Sequence, residues 1–293
     1  MSQLHSFTIG TPANRQTAVL SDDDLRRHAP SVFAEQEHES RSSRYAFIPT
    51  SKVVAGLRDN GFLPVKVSVQ RVRDKGRCGF EKHMIRFRQN TDIVKVGDVF
   101  PEVVLVNSHD GSTSYQLSSG LYRLACSNGL VVSQGELEAV KIKHCGSERE
   151  IIRDVVDGSF RVLGQSQKAI ETAGRWSQLQ LTDGEQAALA IGAHHARFAD
   201  SEGNIATPIV PAQLLLARRP DDRKADLWTT FNRIQENAIK GGLHGVAVET
   251  DDRGRLRRRN VSTREVKGID GNISLNRAIW AMAEHLAKLK AGN

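Results

Sequence analysis

Residues 70–88 read QRVRDKGRCGFEKHMIRFR, with seven Lys or Arg against Asp74 and Glu81. A row of cations along a strand can neutralise successive phosphates of a nucleic-acid backbone and release their counterions. The flanks alternate as strands do. VKVSVQRVR places Val65, Val67 and Val69 on one face; FEKHMIRFR places Ile85 and Phe87 on one face and Lys82, Met84, Arg86 and Arg88 on the other. With Ile85 and Phe87 in a core, Lys82, Arg86 and Arg88 are expected to be exposed together. On the partner strand Arg71 and Arg73 share a face, and the slip in apolar phase beside them suggests a bulge. DKGRCG, with Lys75 and Arg77, is the expected hairpin loop. The plainer reading is an edge strand guarded by charge, but seven cations exceed what that requires.

A second cationic stretch, RGRLRRRNVSTREVK at 253–267, holds seven basic residues and one acidic. It reads as a loop between two helices, in which Arg255, Arg257, Arg258 and Arg259 offer planar forks to phosphate. Residues 41–90 hold twelve Lys or Arg and three Asp or Glu, so in a chain of net charge +7 the remainder is acidic. Basic segments on an acidic background are the footprint of a polyanion binder; two solvated faces without a partner are the plainer account. Tyr115 and Tyr122 are candidate platforms for base stacking. Phe62 and Phe80 read as core, and Trp176, Trp228 and Trp280 as packing on apolar helix faces.

Signals for catalysis are sparse. His194 and His195 are adjacent on a helix and cannot face one way. Cys145 beside His144 lacks a matching ligand pair for zinc. Cys126 sits in an apolar context that suits a buried thiol. No GxxxxGK phosphate loop occurs. Glu136, Glu138 and Asp110 could assemble into a magnesium set, although their spacing does not demand it. Asp22–Asp24 read as a helix start capped by Ser21 rather than a metal site. No cofactor and no metal site is expected, and a metal-dependent nuclease is the alternative reading rather than the favoured one.

These residues need elements to position them. Thr50 or Ser51 can cap a short helix with Val53, Val54 and Leu57 inside, which Asp59-Asn60-Gly61 stops. Two hairpins follow, the second turning at Asp110-Gly111, and LEAVKIKH is a further strand. After residue 146 the period becomes helical. Ser147 with Glu150, and Thr182 with Glu185, form capping boxes. Pro211 opens PAQLLLARR, DDRKADLWTTFNRIQENAIK ends at Gly241-Gly242, and Ser274 caps the last helix. Strands followed by helices predict an α+β fold: a flexible acidic or polar arm at 1–44, a β-rich basic core at 45–146, and a helical region at 147–293 packed on the sheet. No run of about 18 apolar residues is present, the N-terminal residues do not resemble a secretory signal, and three cysteines without a CxxC pair suit a reducing cytoplasm.

FEKHMIRFR, NSHDGSTSYQLSSGLYRLACSNGLVV, DLWTTFNRIQENAIKGGLHG and GNISLNRAIWAMAEHL, in that order, resemble an uncharacterised family of phage- and plasmid-encoded proteins that includes YafZ and YfjQ. The likeness runs from about Tyr45 to the last helix. It implies a mobile-element origin and a bacterial cytoplasm, and supplies no catalytic residues. In element order and charge, though not in signature, the chain is also similar to the ring-forming single-strand annealing proteins. Together these predict a non-enzymatic DNA-binding protein that prefers single strands, with strand annealing and a homo-oligomeric ring as accompanying expectations. A factor acting on a host defence or replication protein is the other alternative.

Overall fold

A computed structural model describes residues 6–7, 19–39, 46–70, 72, 74–89, 99–123, 128–131, 139–144, 146–250 and 254–292. The α+β expectation holds. The chain divides into two compact units, Met1–Ile170 with Lys267–Ile269, and Glu171–Val266 with Asp270–Asn293.

The first unit is built on a seven-stranded antiparallel sheet. Strand β1 (Ser6–Phe7) pairs with β2 (Phe62–Val69), which pairs in turn with β3 (His83–Gln89). Then come β4 (Val99–Asn107), β5 (Tyr115–Arg123) and β6 (Asn128–Val131), while β7 (Val140–Ile142) pairs with β5. Both predicted hairpins form. The β2–β3 register shifts between Pro64 and Lys66, so the irregularity lies earlier than the arginines beside which the sequence suggested it.

Helix α1 (Asp22–His28) starts in a capping box of Ser21 and Asp24, so the Asp run is a helix start. Its Leu25, with Leu20, Ala29 and Val32, belongs to the core. Residues 19–39 are therefore packed, although their polarity suggested an arm: the apolar residues are spaced singly and the charges around them are solvated. Helix α2 (Thr50–Asp59) buries Val53, Val54 and Leu57 and stops at Gly61, whose φ of 82° belongs to the left-handed region. Helix α3 (Glu148–Trp176) begins in the Ser147–Glu150 box and runs well past the predicted stretch. It lies on the face of the sheet that carries Ile85, Phe87, Leu105 and Leu117. Ser119 and Ser166 share a hydrogen bond of 2.8 Å, Phe160 meets Phe62 edge-on at 4.9 Å, and a Cβ at Gly158 would strike Leu117.

The second unit packs α4 (Asp183–Phe198), α5 (Leu227–Lys240) and α6 (Ile269–Ala291) around aromatic side chains. The rings of Trp176 and Trp280 stand 4.5 Å apart, and Phe231 lies edge-on to both. Three boundaries differ from expectation. Asp226 rather than an earlier residue caps α5, and α6 starts before Ser274, which lies within it. The segment after Pro211 is a 3-10 turn (Pro211–Leu215) rather than an α-helix. Long-range bonds decide that case: the Asn237 side-chain amide on α5 donates to the Leu214 and Leu216 carbonyls, at 3.0 and 2.8 Å.

Strands β8 (His244–Thr250) and β9 (Leu256–Ser262) form a separate two-stranded ribbon. The sequence suggested a loop there.

The Trp176–Phe231–Trp280 cluster carries the apolar packing of the second unit. Trp280→Ala is expected to cost about 3–5 kcal/mol, read as a lowered urea midpoint; a change below about 1 kcal/mol would place the stability of that unit elsewhere.

Candidate nucleic-acid interface

The structure sorts the sequence-selected cations into two populations. Arg86 and Arg88 are not exposed. They retain 2% and 7% of their accessible surface and close on the Glu102 carboxylate, which retains 1%. Arg86 Nε donates to one carboxylate oxygen and Arg88 Nε to the other, the latter at 2.9 Å. The Arg88 guanidinium also lies over the Phe100 ring at 5.0 Å, and Arg86 donates to the Leu121 carbonyl. A Cβ at Gly120 would come within 2.9 Å of the Arg86 guanidinium, so glycine keeps that space open. Alternation placed these arginines on the correct face of β3; both faces of the strand are buried, which alternation cannot reveal. Burial pushes the Glu102 carboxyl up, and the two guanidiniums outweigh it and hold it below the ordinary carboxylate range. The two arginines are parts of the core and cannot grip a phosphate.

Lys75 and Arg77 are exposed on the 3-10 turn Lys75–Arg77 between β2 and β3. Arg77 lies 3.7 Å from Asp74 and 3.6 Å from Asp110, so its charge is shared with carboxylates. Lys82 is half-buried. Arg71 and Arg73 lie outside the described residues, as do Cys126, Cys145, Glu136 and Glu138. Tyr115 is wholly buried, donates its hydroxyl to the Ile48 carbonyl at 2.9 Å and faces the His144 ring at 4.7 Å. It is a core residue and not a stacking platform. Tyr122 is placed on β5 opposite Phe100 by backbone register alone. Among the described residues no three His, Cys, Asp or Glu side chains converge to hold a metal ion.

The second population is the ribbon. Arg255, Arg257, Arg258 and Arg259 are all exposed, the last three on β9. Arg259 pairs with Glu249 across the ribbon at 2.6 Å, with both partners more than half exposed, a geometry worth little to stability in water. The base of the ribbon is fixed. The Gly242 N–H donates to the Thr263 carbonyl at 2.8 Å and the Thr263 N–H to the Leu243 carbonyl at 2.9 Å, Gln213 donates to the His244 carbonyl at 2.7 Å, and a Cβ at Gly245 would meet Pro208 at 2.9 Å. An anchored ribbon with solvated arginines can present several forks to a polyanion at once.

One polar constellation escaped the sequence reading. The Thr50 hydroxyl does not cap α2; it is buried among His83, His109 and Asn107. The Asn107 amide donates to it at 2.9 Å, and the Nε2 atoms of His83 and His109 each lie 3.0 Å away. Since His83 Nδ1 lies 3.1 Å from the Glu81 carbonyl, which can only accept, the proton sits on Nδ1. His83 Nε2 therefore accepts from Thr50, and His109 Nε2 donates to it. His109 Nδ1 is then a bare acceptor with no partner among the described residues. His144 Nε2 completes the chain at 3.0 Å from Asn107 Oδ1. Burial lowers all three rings, His83 and His144 to about 4 and His109 to about 3, where His83 and His144 add to the effect. The network is neutral at pH 7 and its polar atoms mostly face one another. A signal was present: in antiparallel strands, the start of β3, the ends of β4 and β7 and the start of β5 lie at one end of the sheet, where His83, His109, His144 and Tyr115 fall.

Fold and surface define an α+β protein that carries an arginine-rich ribbon. Residues 37–280 match the family described as "Domain of unknown function (DUF932)". The chain is 42% identical over 272 residues to UPF0380 protein YafZ of Escherichia coli (strain K12), covering 93% of each chain. It is 41% identical over 272 residues to UPF0380 protein YfjQ of the same organism, again over 93% of each. The chain belongs to the DUF932 family, as the sequence resemblance implied. No solved structure matches. Among the described residues no helix is long and apolar enough to cross a membrane.

Glu102→Gln leaves two buried guanidiniums without their carboxylate and is expected to lower stability by about 3–5 kcal/mol, read as a fall in the urea midpoint. A loss below about 1 kcal/mol would show the pair to be solvated. The histidine network gives a pH dependence. Each folded-state pKa lies below the unfolded value of about 6.5, so as the pH falls the unfolded chain takes up protons that the folded chain refuses. Stability is therefore full above about pH 6.5. It declines below that by up to about 1.4 kcal/mol per pH unit per ring, and levels off below the folded-state values. Denaturation midpoints measured from neutral to acid pH check the window; a flat profile would mean that the rings titrate in the folded protein as they do in the unfolded chain.

Proposed function

We propose that this protein binds DNA, meeting phosphates with the β8–β9 ribbon. The observation that carries the reading is the exposure of Arg255, Arg257, Arg258 and Arg259 on an anchored two-stranded ribbon. Of the described cations on the β2–β3 hairpin, Lys75 and Arg77 are exposed and form a separate candidate contact. The phage or plasmid setting implied by the family resemblance supports a role at DNA, in recombination or replication.

The form of the DNA follows from the same geometry. With Tyr115 in the core, one of the two stacking candidates is gone, and support for single strands and for annealing weakens with it. A two-stranded ribbon has the width that the major groove of a duplex admits. Duplex DNA is therefore the preferred partner in this reading.

Fluorescence anisotropy with labelled duplex and single-stranded oligonucleotides, across a salt series, tests it. The duplex is expected to bind more tightly, with log affinity falling linearly in log salt. The pair Arg255→Ala and Arg258→Ala should flatten that slope by about two, one for each lost cation. An unchanged affinity and slope in the double variant would remove the ribbon from the interface.

A further inference from the structure

We infer that the outward face of the ribbon reads base edges in the major groove of duplex DNA, with Arg258 and Asn260 as its specificity residues. The inference rests on the DNA-binding reading above and goes beyond it, from phosphate contact to sequence recognition.

The pairing of β8 with β9 fixes which side chains share a face. Val246 stands opposite Asn260, Val248 opposite Arg258, and Thr250 opposite Leu256. These six alternate with a second set in which Ala247 faces Arg259, Glu249 faces Arg257, and Gly245 faces Val261. The second set points toward the body at its base, where Gly245 abuts Pro208. The first set points outward along its whole length.

The outward face carries aliphatic side chains that folding alone would bury. On an ordinary ribbon the aliphatic face turns inward and the charged face outward. Here Val246, Val248 and Leu256 are 50%, 58% and 75% exposed on the outward face, while Glu249, Arg257 and Arg259 occupy the other. A two-stranded ribbon is marginal in water without something packed against it. The outward face thus has the composition of a contact surface.

Charge selects the occupant. Among the described residues the outward face carries no acidic side chain, and Arg258 sits among the aliphatic residues. Two such faces stacked about a two-fold axis would bury Arg258 of each copy without a carboxylate. A duplex meets the same face with its negative groove. The major groove is about 12 Å wide and takes a two-stranded ribbon; seven-residue strands reach about 23 Å along it.

The residue types then match base edges. An arginine fork fits guanine O6 and N7, an asparagine amide fits adenine N6 and N7, and aliphatic groups fit the thymine methyl. Arg258 and Asn260 are two residues apart on one strand, about 7 Å, or about two base steps at roughly 3.4 Å each. Val248 and Val246 stand directly across from them. The expected target therefore holds a guanine and an adenine about two steps apart, with thymine methyls nearby.

Selection of bound duplexes from a randomised pool by the full chain tests this. The expected result is a short enriched motif of that kind. Arg258→Lys keeps the charge and loses the fork; it should weaken binding to the selected duplex roughly tenfold to a hundredfold and relax the preference at the guanine. Asn260→Ala should relax the adenine alone. Both sites are exposed, and thermal melting confirms that the variants fold. Retained duplex binding with no enriched motif would overturn this inference and leave the DNA-binding reading standing. Absence of duplex binding would overturn both. Dimerisation in sedimentation without DNA, lost in Val248→Ser, would assign the face to a second copy and overturn the inference.

Discussion

The first unit turns on one hydroxyl. Thr50 O–H sits where helix α2 meets the end of the sheet, and through it and Asn107 a helix, two strands and two loops are joined in a single polar chain. Ser31, from the segment after α1, reaches the same chain at His83 Nδ1. A buried donor or acceptor without a partner costs about 1–3 kcal/mol, so no member can leave without stranding another. Keeping each of these polar atoms partnered requires the backbone elements to meet in one way. Apolar packing of α2 and α3 supplies the bulk of the stability; the polar chain supplies the uniqueness of the junction.

The arginines show how little residue type alone decides. Arg86 and Arg259 each pair with one glutamate, Glu102 and Glu249. The first pair is sealed between strands with a second guanidinium beside it, and removing its carboxylate leaves buried charge uncompensated. The second is bathed in water and exchanges partners at little cost. A charged pair in the core is an internal support, and a charged pair on the ribbon is an available contact. Net charge counts them alike.

Much of the fold was legible because its signals are local. The cap at Ser21, the capping boxes at Ser147 and Thr182, the turns at Gly61 and Asp110-Gly111, and the apolar alternation of Ile85 and Phe87 each depend on a few consecutive residues. What failed to read depends on distant ones. Alternation shows that Arg86 and Arg88 share a face, but whether that face is wet is decided elsewhere in the fold. The single acid in the apolar run PEVVLV was the available sign, because register across β3 and β4 brings Glu102 to both arginines. The ribbon was hidden for the opposite reason. A run of arginines reads as a solvated loop, and only the valines of β8, seen in register with β9, disclose a strand. Thr50 reads, with Ser51, as a candidate cap because Thr before a helix usually is one; its partners lie 33 to 59 residues away.

The ribbon also has two open edges. Among the described residues each of its strands pairs on one side alone, the arrangement from which chains add to one another and build fibrils. Its aliphatic residues make that hazard greater. The arginines of β9 are what keep it in check, since like charges hold apart any copies that approach edge to edge. The cations proposed to meet a polyanion thus also oppose edge-to-edge association of the free protein.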